Sequence, residues 1–187
     1  MSKYIRAYLV IILSLFLSAS LGCDSTGSIE APSSIEITDQ LGRVVKLDRM
    51  PQRIVSLAPS NTEILFALGL ADKLVGVTDY CNYPPEAEDK PSIGGFSTPN
   101  IEQVVALSPD LVLATSIHQK QVIPNLEQRG ITIFALAPKT LDEVLETITL
   151  VGEITDKKEE ASKLVAGMAD RIKAITDKTS NLTSDER

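Results

Sequence analysis

From residue 54 to residue 136 the chain alternates short apolar runs with amphipathic stretches. Residues 54–57, 74–78, 111–114 and 132–136 are mainly apolar, the pattern of strands buried on both faces. Between or after them, residues 61–68, 101–107, 122–129 and 141–154 repeat apolar positions at helical spacing. Strands alternating with helices predict a parallel sheet covered on both sides. Ahead of this region, "SIEITDQLGRVVKL" gives two β-like runs around a turn and reads as a hairpin.

The predicted helix starts are marked by pairs three residues apart: Ser60 with Glu63, Asn100 with Gln103, Thr140 with Glu143 and Asp156 with Glu159. Gly69 and Gly130 fall where helices should stop. In "SLAPSNTEILFALGL", Ser60 is expected to cap the helix and Ala58–Pro59 to set the turn leaving the strand. That loop lies where open α/β sheets receive ligands, beyond the carboxyl ends of the strands. A last pattern over 156–178 has Ala161, Leu164, Met168, Ile172 and Ile175 at helical spacing and no Pro. At about 1.5 Å per residue it reaches roughly 33 Å, the width of a small domain.

The amino terminus follows different rules. Lys3 and Arg6, an apolar run and "SASLGC" have the layout of an export signal, and the run is too short for an ordinary spanning helix. "SLGC" resembles a bacterial lipobox, which makes Cys23 the expected lipidation site. Residues 1–22 are therefore assigned to a lipoprotein signal peptide and 23–33 to a flexible tether. Residues 34–155 are assigned to one lobe, 156–178 to a long helix and 179–187 to a disordered tail.

The 187 residues suffice for one well-buried domain. An excess of 25 acidic over 18 basic residues argues against nucleic acid as partner. No nucleophile elbow, phosphate loop, dinucleotide fingerprint or paired metal ligands occur, so an enzyme is not expected. His118, the single His, is assigned a surface or capping role, and Cys81 a buried apolar one.

The aromatic residues are more telling. Beyond residue 22 they are Phe66, Tyr80, Tyr83, Phe96 and Phe134. Phe66 and Phe134 fit core positions. The other three lie in two loops, "TDYCNYPPEA" and "IGGFSTPN", where they either staple their loops or offer a flat apolar surface to a large ligand. The rim loops after the predicted strands contain Lys120 and Lys139 but no Arg. An anion held by its carboxylates usually finds a bidentate Arg, so shape and apolar contact are favoured.

Together "SLAPSNTEILFALGL", "VGVTDYCNYPPEA", "IGGFSTPNIEQVVALSPDLVLA" and "LEQRGITIFALAP" resemble the amino-terminal lobe of the metal-chelate substrate-binding proteins of ABC importers. The resemblance runs from about residue 35 to 178 and is greatest to cobalamin binders, with ferric-siderophore and haem binders as relatives. It implies a Rossmann-like parallel-sheet lobe preceded by a hairpin and followed by one long linking helix. It also implies a non-enzymatic, lipid-anchored component on the outer face of the cytoplasmic membrane that delivers a corrinoid to permease subunits, with no resident cofactor. Tyr80 and Phe96 are placed against the corrin ring, Pro59, Ser60 and Asn61 on the cleft floor, and Glu102 at the permease. The family's second lobe is not matched, from which weak binding is expected. The alternatives are a siderophore or haem ligand in the same role, or an interaction lipoprotein without a small-molecule ligand.

Overall fold

A computed structural model describes residues 34–180 of the chain. The expected signal peptide, the tether with Cys23 and the tail beyond Ser180 lie outside the described residues. Strands β1 (Ile35–Thr38) and β2 (Val44–Leu47) form an antiparallel hairpin. There follow β3 (Ile54–Ser56), α1 (Pro59–Ala67), β4 (Leu74–Gly76), α2 (Ile101–Ala106), β5 (Leu111–Thr115), α3 (Val122–Glu127) and β6 (Ile133–Leu136). Helices α4 (Leu141–Ile154) and α5 (Lys158–Thr179) close the described chain.

The second sheet is wholly parallel, in the order β4-β3-β5-β6. Side chains alternate across it and build two cores. Ile54, Leu111, Leu113, Phe134 and Leu136 pack with α1, α4, the start of α5 and the hairpin. Val55, Val112, Ala114, Ile133 and Ala135 pack with Val104 of α2 and with Ile123 and Leu126 of α3. Burial on both faces explains the unbroken apolar runs of the central strands.

The hairpin also protects the edge of β6, whose unpaired backbone would otherwise invite pairing with another strand. Gln40 N donates to Ala135 O, and the Asp39 carboxylate accepts from Ala135 N at 3.1 Å. Buried Asp39 accepts as well from Leu41 N, Arg43 N and the Arg43 guanidinium, so its charge is fully partnered. Gln40 Oε1 reaches further, accepting from Ala137 N at 2.8 Å and from the Thr147 hydroxyl.

Two of the four expected caps form. Asn100 accepts from Gln103 N and Thr140 from Glu143 N. Ser60 does not cap α1. Pro59 has its φ set for the first helical position and lacks the N–H that would need a partner there, so the helix begins one residue earlier, on extended Ala58. Asp156 does not cap α5 either. It takes a left-handed conformation, φ 60°, in the tight α4–α5 turn, and Lys157 becomes the flanking residue. Gly69, at φ 71°, ends α1 as expected, with Gly69 N donating to Phe66 O and Leu70 N to Leu65 O.

Candidate binding cleft

Strand β3 has β4 on one side and β5 on the other, so the connections leaving β3 and β5 diverge. This is the switch point at which open parallel sheets leave a crevice beyond their carboxyl ends. A cavity of about 800 Å³ occupies it, bounded by the turn into α1, the loop after β5, the loop after β6 and the hairpin tip. A second cavity of about 460 Å³ adjoins it and is bounded by Tyr80 and residues 95–98. Pro59 and Phe96 line both.

Each wall is held by buried polar contacts. Asn61 is buried, and its side-chain amide donates to Leu113 O and Ala114 O, tying the start of α1 to the end of β5. Thr62 Oγ1 lies 2.8 Å from Ser56 Oγ and 3.2 Å from Cys81 Sγ, and the Thr78 hydroxyl lies 3.2 Å from the same sulfur. Cys81 is thus buried, as expected, and it anchors a loop whose neighbouring residue, Tyr80, is 64% exposed.

The Phe96 loop folds back through a bridge between Gly94 and Pro99, and Gly94, at φ 87°, makes the bend. Phe96 is half-buried, and its ring meets that of His118 edge to face, centroids 5.5 Å apart. His118 lies in the single helical turn Ser116–His118 after β5 and is fully buried. Its Nδ1 accepts from Thr115 N at 3.0 Å, and its Nε2 lies 2.7 Å from Phe96 O. Burial pushes its pKa down, partly offset by the Phe96 carbonyl, so the ring is neutral at neutral pH.

The structure brings Pro59, Ser60, Asn61 and Phe96 to one cavity and Tyr80 to the adjoining one. Glu102 stands apart, in the first turn of α2, 81% exposed and 3.5 Å from Arg129. Tyr83 is exposed and lines neither cavity. His118 caps its turn, as one expectation had it, but sits inside rather than on the surface. Lys139 lines the cavity, as its rim loop predicts, whereas the hairpin tip at Gln40 and Leu41 and exposed Ile117 were not anticipated. An Ile beside the single His, just past a predicted strand, was the available signal for the loop after β5. The hairpin tip had none, because its neighbours lie almost a hundred residues away. Among the described residues, Lys139 is the one charged side chain lining the two cavities. No group of three metal-ligating side chains occurs among them.

A doubly covered parallel sheet with an apolar crevice at its switch point defines a ligand-binding lobe. Residues 54–187 match the family model described as periplasmic binding protein, and the chain belongs to that family. Members of this family are described as binding proteins rather than enzymes. The chain is 36% identical over 156 residues to an uncharacterized ABC transporter substrate-binding lipoprotein of Bacillus subtilis, covering 81% of this chain and 49% of that one. The crystal structure of a periplasmic vitamin B12 binding protein of Vibrio cholerae matches with a TM-score of 0.65 at 34% identity, covering 70% of this chain and 52% of that one. A periplasmic heme binding protein from Pseudomonas aeruginosa matches with a TM-score of 0.65 at 30% identity, covering 68% and 47%. The chain spans about half the length of these relatives.

Proposed function

We propose that the chain serves as substrate-binding component of an ABC importer and that its cleft receives a large metal chelate of the cobalamin class. The observation that carries this reading is the ridge of Pro59 and Phe96 between two adjoining cavities, with Tyr80 beside it. A broad ligand lying across that ridge meets two aromatic faces and almost no charge, which suits recognition by shape and apolar contact. Ser60 and Asn61, beside Pro59, continue along the floor of the larger cavity. The similarity to a vitamin B12 binding protein supports the choice of a corrinoid. Haem is the second reading, supported by the similarity to a heme binding protein.

In this reading the protein is exported and lipid-anchored through Cys23 to the outer face of the cytoplasmic membrane. Glu102 offers its exposed carboxylate to basic residues of the permease. Cys23→Ser is expected to move the protein from membranes to the soluble exported fraction, and a wild-type chain without added lipid mass contradicts the anchor. Calorimetric titration of the purified chain with cyanocobalamin, haemin and a ferric siderophore tests the ligand. Saturable heat with cyanocobalamin is expected, and heat with haemin alone transfers the role to the second reading. Absence of heat with all three removes the transport reading.

A further inference from the structure

Residues 95–98 form the tip of the Phe96 loop, and that tip is thinly attached. Among the described residues, the hydrogen bond between Phe96 O and His118 Nε2 is the one that residues 95–98 make to the rest of the chain. The partner atoms fix the roles in it. Thr115 N–H can only donate, so Nδ1 accepts and carries no proton. Phe96 O can only accept, so Nε2–H donates, and the ring is held as one tautomer. The contact is part-buried, and on its His118 side the ring is fully buried, so Nε2–H is costly to leave without an acceptor. The rings then meet at 79°, the edge-to-face arrangement aromatic pairs favour.

The loop after β5 therefore reaches through His118 to set both the backbone and the ring of Phe96, one of the two residues shared by the two cavities. We infer that His118 is a positioning residue of the binding site. It does not touch ligand, and it sets affinity by holding Phe96 at the ridge. As far as affinity is concerned, this inference rests on the reading that the cleft takes a metal chelate.

Two variants separate this role from simple packing. His118→Asn keeps a side chain that can cap Thr115 N but is too short to reach Phe96 O. His118→Gln carries an amide nitrogen out to where Nε2 stands. In the purified chain without ligand, the backbone order of residues 95–98, read by amide nitrogen relaxation, is expected to fall in His118→Asn from about 0.85 towards about 0.6. It should stay near wild type in His118→Gln. Cyanocobalamin affinity should follow the same order, falling about tenfold in His118→Asn and recovering in His118→Gln. Nitrogen NMR of the imidazole should show Nε2 protonated in the wild type. Equal backbone order in the two variants, or a ring protonated only at Nδ1, overturns the inference. If the wild type binds none of the three chelates, the proposed function falls, and the comparison of backbone order still decides the role of His118.

Discussion

At the scale of single residues, the same side-chain type performs different work according to what surrounds it. Phe134 is fully buried in β6, whereas Phe96 is half-buried at a cavity edge and Tyr80 mostly exposed. Phe134→Ala should cost about 3–5 kcal/mol of stability as a large core deletion. Tyr80→Ala or Phe96→Ala should weaken cyanocobalamin binding by about 1–3 kcal/mol, with a smaller loss of stability. Denaturant unfolding and calorimetry on the same three variants check this. Equal stability losses with binding intact would reduce the rim aromatics to packing.

His118 adds a pH dependence whose sign follows from its environment. Its folded pKa is lowered, chiefly by burial, below the ordinary value of 6.5 that the unfolded chain retains. The unfolded state therefore binds the proton more readily. The contribution of this group to stability is complete above about pH 6.5 and declines as the pH falls from there through the folded pKa. Thermal unfolding between pH 7.5 and pH 5 should show a decline that is shallower in His118→Gln. An identical decline in the variant assigns it to the carboxylates instead.

At the scale of elements, the sequence carried what is local and lost what is distant. The apolar runs located β3 to β6 within a residue or two, since strands buried on both faces leave little room for polar residues. Asn100 and Thr140 were legible as caps because a cap acts over three residues. Ser60 misled because two start signals overlap in "APSN", and the geometry of Pro59 won. The α4–α5 turn shows a further limit. A Cβ on Gly152 would lie 2.8 Å from Lys157 O and closer still to Ala161 Cβ, a demand on Gly152 that its neighbours in sequence do not announce. Gly152→Ala should destabilise the chain by about 1–3 kcal/mol through overpacking, measurable by denaturant unfolding. An unchanged midpoint would mean that the turn opens freely.

At the scale of the whole molecule, site and fold follow from one ordering of strands. Placing β3 between β4 and β5 opens the crevice, and the loops that leave β3 and β5 supply Pro59, Asn61 and the turn containing His118. The floor of the site was readable in "SLAPSN" because it is continuous in the chain. The loop after β6 was legible through Lys139, whereas the hairpin tip, distant in sequence, is tied to it by Gln40 bonds across the fold. The proposed function requires that this crevice take the chelate. Amide spectra recorded while cyanocobalamin is titrated into the purified chain test that most directly. The predicted result is saturable shifts concentrated at residues 60–61, 80, 95–98 and 115–119, with the α4–α5 turn unchanged. Shifts confined to surfaces away from the crevice, or none at saturating ligand, would contradict it.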